Sequence, residues 1–145
     1  MFDGLQVGLS GKSKLVVGPE STARHLGSGG VDVLATPELV RLMERAAVAA
    51  VDHLLPGGWV TVGSRVDAQH LAPTPLGMRV EARAELVAID GRRLTFDVEA
   101  RDEREVVGAQ HRPECDGVAF AALGQVDVGD ARVPAGATPF GLAVP

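Results

Sequence analysis

Thr36-Pro37-Glu38-Leu39-Val40-Arg41-Leu42-Met43-Glu44-Arg45-Ala46-Ala47-Val48-Ala49-Ala50-Val51-Asp52-His53-Leu54-Leu55 is the stretch that decides the fold. It predicts a single long helix over 36–55. Thr36 suits the N-cap, because a side-chain oxygen there can accept from the unpaired N–H groups of the first turn. Pro37 brings a preset φ to a position that needs no N–H, and Glu38 meets the positive end of the helix dipole. Pro56-Gly57-Gly58 then stops the run. At about 100° per residue, Leu39, Met43, Ala46, Ala47, Ala50 and Leu54 share one face, and Arg41, Arg45 and Asp52 share the opposite one. The alanines on the apolar face would let the helix lie close against a sheet.

Outside this helix the pattern changes to strands. Residues 78–89 alternate, with Met78, Val80, Ala82, Ala84, Leu86 and Ala88 set against Arg79, Glu81, Arg83 and Glu85. Asp90-Gly91 is a strong hairpin turn and leads into a strand over 92–102. Residues 59–70 and 105–120 read as two further strands, and Ser13-Lys14-Leu15-Val16-Val17 as a short first one ended by Gly18-Pro19. Residues 18–35 have no clear period and contain Gly27-Ser28-Gly29-Gly30, so they are expected to form a loop with mobility at the glycines. One long helix and five strands pack best as an α+β fold, with an antiparallel sheet wrapped round the helix. The domain is expected to span 1–120. Residues 121–145, rich in Gly, Ala, Val and Pro, are expected to be an irregular tail, with a packed extra element as the alternative.

The bulk composition narrows the function. A chain of 145 residues is one domain, and 46% hydrophobic residues suffice for a core. Trp59 and the four phenylalanines, Phe2, Phe96, Phe120 and Phe140, are the only aromatics, so a base-stacking surface for single-stranded nucleic acid is not expected. A net charge of −5 without a basic tract argues against DNA and anionic membranes as partners. No apolar stretch approaches the roughly 20 residues that span a bilayer. The start, Met1-Phe2-Asp3-Gly4, lacks the basic region and apolar run of a secretory signal. Cys115 is the only cysteine, which excludes an internal disulfide and a cysteine-rich zinc site. The expected compartment is the cytoplasm.

Few residues can carry chemistry. Glu44 falls in the apolar sector of the helix or at its edge, between Val51 and Leu55. A carboxylate there loses hydration, and its pKa should rise, as a general base or nucleophile requires. The simpler reading is a boundary residue paired with Arg41, three positions back. Thr36 is accounted for as an N-cap, yet a hydroxyl at a helix end can also face a substrate. His70 ends a strand just before Leu71-Ala72-Pro73-Thr74-Pro75. A histidine can release a proton near neutral pH, although a lone strand histidine is commonly a partly buried, hydrogen-bonded residue. His25, His53 and His111 share that alternative. No two histidines have metal-ligand spacing, so no metal is proposed. Gly63 interrupts Thr61-Val62-Gly63-Ser64, as a bulge or a close approach of backbone to a ligand would.

Taken in order, these residues carry a resemblance. Thr36, then Glu44 within Leu42-Met43-Glu44, then Gly63, then Ala68-Gln69-His70 resemble the pattern of fluoroacetyl-CoA thioesterases and their hotdog-fold relatives. Asp3-Gly4-Leu5-Gln6-Val7-Gly8, Thr22-Ala23-Arg24-His25-Leu26, Thr74-Pro75-Leu76-Gly77 and Gly91-Arg92-Arg93-Leu94 extend it over roughly residues 3–120, the span of a single domain. No one piece is specific; the ordered set is. The resemblance implies a hotdog dimer with active sites at the subunit interface, and hydrolysis of a short or small acyl-CoA. It implies Thr36, Glu44 and His70 as catalytic residues and the N–H of Gly63 beside the thioester carbonyl, with no cofactor beyond the CoA of the substrate. The fluoroacetyl-specific enzyme closes its pocket with phenylalanines before the helix. Residues 26–35 here contain no aromatic, so the resemblance does not extend to selectivity for fluoroacetyl. Two other functions compete. A non-catalytic acyl-CoA or acyl-carrier binding protein would keep the fold without turnover. A hotdog enoyl-CoA hydratase would need an Asp and a His close together on one segment, and Asp67 with His70 at a strand end is the only near match.

Overall fold

The computed structural model describes residues 3–110 and 118–123. His111 and Cys115 lie outside the described residues, as do 124–145, which make up most of the expected tail. Strand β1 spans Ser10–Val16, and a 3₁₀ turn at Pro19–Ser21 leads to a short helix, α1, Ala23–Leu26. The long helix α2 spans Thr36–Val51. Six strands follow: β2 Val60–Arg65, β3 Ala68–His70, β4 Arg79–Asp90, β5 Arg93–Asp102, β6 Val106–Gln110 and β7 Val118–Leu123.

All pairings are antiparallel. β4 lies between β1 and β5. The far edge of β5 is shared: Arg93–Phe96 pair with β7, and Glu99–Arg101 with β6. β2 pairs with β7, and β3 with β6. The sheet is therefore five strands wide, as expected, with β6 and β7 sharing one position and β2 and β3 sharing the edge. This is the hotdog arrangement. The expected strand over 59–70 is interrupted at 66–67, and its register against β7 shifts between Gly63 and Arg65, so Gly63 stands at an irregularity in the ladder.

Burial on α2 follows the apolar sector of the helix, with Leu39, Leu42, Met43, Ala46, Ala47, Ala50 and Val51 all nearly inaccessible. They meet Val80, Ala82, Ala84 and Leu86 of β4 and Leu94, Phe96, Val98 and Ala100 of β5 in one core. Small side chains allow a very close approach between helix and sheet. A Cβ placed on Gly11 of β1 would lie 2.4 Å from the backbone of Ala46 and of Ala50. A Cβ on Gly108 would fall 2.9 Å from a methyl of Leu39.

Three local expectations change. The N-cap is Ala35, whose carbonyl accepts from the Leu39 N–H at 3.0 Å, and Thr36 is the first helical residue. Its hydroxyl is therefore available for a partner outside the helix. The α-helix ends at Val51, before a 3₁₀ turn at Asp52–Leu54. The tighter winding takes Asp52 off the solvent face it was expected to share with Arg41 and Arg45. Asp52 instead accepts a 2.5 Å hydrogen bond from Thr61, which is wholly buried on β2.

The segment 18–35 also has more structure than its composition suggests. Thr22 caps α1, and Gly27 ends it with φ +72°, a left-handed conformation that glycine adopts without strain. Arg24 then draws the glycine-rich stretch back on itself. Its guanidinium donates to the Asp32 carboxylate and to the Gly30 carbonyl, both at 2.9 Å.

Candidate active site

The edge of the sheet passes beside the start of α2, and there the structure joins two residues far apart in sequence. The Thr36 hydroxyl and the His70 ring share a hydrogen bond, Oγ1 to Nδ1, of 2.8 Å. His70 is placed by the β3–β6 ladder, opposite Gly108, and the next N–H, of Leu71, donates to the Val107 carbonyl at 2.7 Å. Thr36 is placed by the entry to α2, where the Leu34 N–H donates to the Thr74 carbonyl and the Ala35 N–H to the Ser21 carbonyl. Both termini of the hydrogen bond thus rest on paired backbone.

Nε2 of His70 is buried and has no hydrogen-bond partner among the described residues. Burial pulls the ring's pKa below the ordinary histidine value, against a backbone hydrogen bond at Ala72 that raises it. This shift favours the neutral ring. With one nitrogen engaged by Thr36, the other is left to hydrogen-bond a ligand.

A cleft of about 330 Å³ lies beside this pair. Its walls are mainly apolar, including Val31, Val33, Leu34, Leu71 and Pro73, and Thr36 and His70 supply polar groups. Such a surface suits an apolar group attached to a polar reacting centre. The cleft residues from 28–33 fall in the segment that the resemblance places at the pocket, while those from 71–73 are not assigned to it by the sequence. They are scattered apolar residues in turn-rich segments and carry no periodic signal.

Glu44 lies two helical turns beyond Thr36, roughly 12 Å along the axis at about 1.5 Å per residue. It is only 8% exposed, as its place on the helical wheel predicts. Arg41, the partner of the simpler reading, forms its ion pair with Glu38 at 3.7 Å instead. The helix turns Arg41 toward solvent, where Glu38 is the acid within reach. No cation pairs with Glu44 among the described residues. Loss of hydration pushes its carboxyl up to about 7. Glu44 makes no hydrogen bond to Thr36 or His70 within the described chain; the direct partner of Thr36 is His70. Gly63 stands on β2, at the ladder irregularity, whereas His70 ends the separate strand β3.

Chemically, the arrangement offers a carboxyl that can exchange a proton near neutral pH. It adds an imidazole oriented by a hydroxyl, and both of these line an apolar cleft. Those are parts needed to add water to an activated acyl carbon.

Comparison with known proteins gives a consistent result. The family model FlK, described as fluoroacetyl-CoA-specific thioesterase, matches residues 17–112. A fluoroacetyl-CoA thioesterase from Streptantibioticus cattleyicolor is 36% identical over 115 residues, covering 75% of this chain and 83% of that protein. The crystal structure of a single-residue variant of the fluoroacetyl-CoA-specific thioesterase FlK aligns with a TM-score of 0.77 at 32% identity, covering 90% of this chain and 96% of that one. A thioesterase superfamily member from Thermus thermophilus aligns with a TM-score of 0.75 at 30% identity, covering 88% of this chain and 90% of that one.

Proposed function

The chain belongs to the family of fluoroacetyl-CoA-specific thioesterases, and from that premise we propose that it hydrolyses a short acyl-CoA to the free acid and CoA through Thr36, Glu44 and His70. The observation that carries this reading is the Thr36–His70 hydrogen bond at the cleft, which joins two chemically capable residues separated by 34 positions in the chain.

A thioester carbonyl is electrophilic, and thiolate is a fair leaving group. Glu44 takes a proton from water as the water oxygen bonds to the carbonyl carbon. A carboxyl with a pKa of about 7 is well matched to this step, because it is largely ionised just above neutral pH and still basic. The carbonyl electron pair moves onto oxygen, where the Gly63 N–H stabilises the developing charge. Collapse breaks the carbon–sulfur bond, and the proton held by Glu44 passes to sulfur. His70, neutral and fixed by Thr36, hydrogen-bonds the reacting thioester and orients it. Glu side chains on a helix lean toward its N-terminus, so the carboxyl covers part of the distance to Thr36, and the substrate with its water fills the rest.

The apolar, aromatic-free cleft wall supports small unfluorinated acyl groups. With a panel of acyl-CoAs read by thiol release, acetyl- and propionyl-CoA should turn over, and fluoroacetyl-CoA should lead them in kcat/KM by less than about tenfold. Saturable binding without thiol release would refute catalysis and leave a binding protein. A preference for fluoroacetyl-CoA of several hundredfold would refute the selectivity argument. The working unit of this reading is a homodimer, which light scattering reporting only a 15.1 kDa particle would exclude. No helix among the described residues is long and apolar enough to cross a membrane, and the cytoplasm is the proposed compartment.

A further inference from the structure

The stretch Thr74-Pro75-Leu76-Gly77 has no place in the chemistry above, yet Thr74 is wholly buried. Its hydroxyl donates to Asp102, Oγ1 to Oδ2, at 3.2 Å. The Asp102 side chain is itself fully covered. Its other oxygen accepts from the N–H groups of Arg104 and Glu105 at 2.8 and 2.9 Å, which closes the turn between β5 and β6. Arg104 reaches back from that turn, and its guanidinium donates to the Pro73 carbonyl at 3.3 Å. A covered carboxylate with two backbone donors, a hydroxyl and a nearby guanidinium is a rigid anchor, since losing one donor leaves an acceptor buried and unpaired.

This anchor grips the segment that separates the two halves of the site. Toward His70 it holds Pro73, and Pro73, Ala72 and Leu71 line the cleft beside the ring. Toward Thr36 it holds Thr74, whose carbonyl receives the Leu34 N–H at 2.8 Å, two residues before Thr36. Val33 also bridges to Pro75. The β5–β6 turn is thus linked through Thr74 and Pro73 to the segments that carry both partners of the 2.8 Å Thr36–His70 bond.

We propose that Thr74 and Asp102 are positioning residues, which hold Thr36 and His70 in register by tying the 71–75 segment to the β5–β6 turn. The inference rests on the catalytic reading of Thr36 and His70 and assigns neither Thr74 nor Asp102 a contact with substrate.

The test is Thr74→Val, which keeps the shape and removes the donor, beside Thr74→Ser, which keeps the donor. Thr74→Val should lower kcat roughly 10- to 100-fold, the scale of an ångström-sized misplacement, with KM changed less than about threefold. Thr74→Ser should stay within about threefold of the parent in kcat. A second readout is the His70 ring titration followed by NMR. A loosened segment admits water to the ring, and because desolvation outweighs the Ala72 hydrogen bond, in Thr74→Val the pKa should rise toward the ordinary value of 6.5. A lower melting temperature with normal kcat and an unmoved His70 titration would mean a purely structural role and overturn the proposal. If Thr74→Val does not fold, Arg104→Ala tests the same tie from an exposed position. It should lower kcat and raise the His70 pKa, and no change in either overturns the idea. Normal turnover in His70→Ala would sink the catalytic reading instead, and the titration would still decide the positioning.

Discussion

Replacing Glu44 by Gln should remove most of the activity and, at alkaline pH, make the protein more stable. The second effect follows from the direction of the pKa shift. The carboxyl titrates near 4.5 when exposed and near 7 in the folded protein. Between those values the unfolded chain has released its proton and the native protein still holds it. Stability from this group is therefore complete below pH 4.5 and is lost as pH rises to about 7. The difference between 4.5 and about 7, at about 1.36 kcal/mol per pH unit, makes the ionised carboxylate an upper-bound burden of about 3 kcal/mol at pH 8. Gln keeps the shape and never ionises, but its amide must still be buried. The net gain at pH 8 should be on the order of 1–2 kcal/mol, or roughly 3–6 °C in Tm for a chain of this size. At pH 4.5 the difference should vanish or reverse.

Turnover should fall at least about 10²-fold, the low end for losing an acid–base group. The parent kcat should rise with pH through about 7 as Glu44 ionises, and the variant's residual rate should lack that limb. The assay is thiol release across pH 5–9 beside circular dichroism melts at about pH 5 and 8, at one protein concentration because assembly affects Tm. Near-normal turnover in a folded Glu44→Gln protein would refute the catalytic role. A variant less stable than the parent at pH 8 would refute the unpaired, desolvated carboxylate and point to an ion pair.

Thr36→Val removes the hydroxyl that fixes His70. It should lower kcat by roughly 10²-fold and leave the helix largely intact, because Ala35 and not Thr36 occupies the cap. A Tm loss of several degrees with normal turnover would restore the capping role. Gly11→Ala should cost about 1–3 kcal/mol in a denaturant melt, since the added methyl meets backbone of α2 that has no room to give. An unchanged midpoint would show that the helix stands farther from β1 than described.

Each strand read over 59–70 and 105–120 corresponds to two strands, whereas the helix, the hairpin strands over 78–102 and the burial of Glu44 were legible in the sequence. Each depends on a local period: about 3.6 residues per turn puts Glu44 among Val48, Val51 and Leu55, and alternation sorts Arg79–Leu86 into two faces. The ordered resemblance added the chemistry, since no local pattern distinguishes a catalytic carboxylate from a boundary one. Tertiary structure alone decided which groups meet. Thr36 has the local signature of a cap, but its hydroxyl is used by His70, brought beside it by the β3–β6 ladder. Asp52 left the face its wheel position implies because the winding tightens after Val51 and Thr61 supplies a donor. The glycine-rich segment before α2 is braced by Arg24, and the 71–75 segment by Asp102, 28 residues beyond Thr74. A hydrogen bond between distant residues leaves no period in the chain. It forms because a buried polar group takes whatever partner the fold places within about 3 Å, and only the completed fold sets those distances.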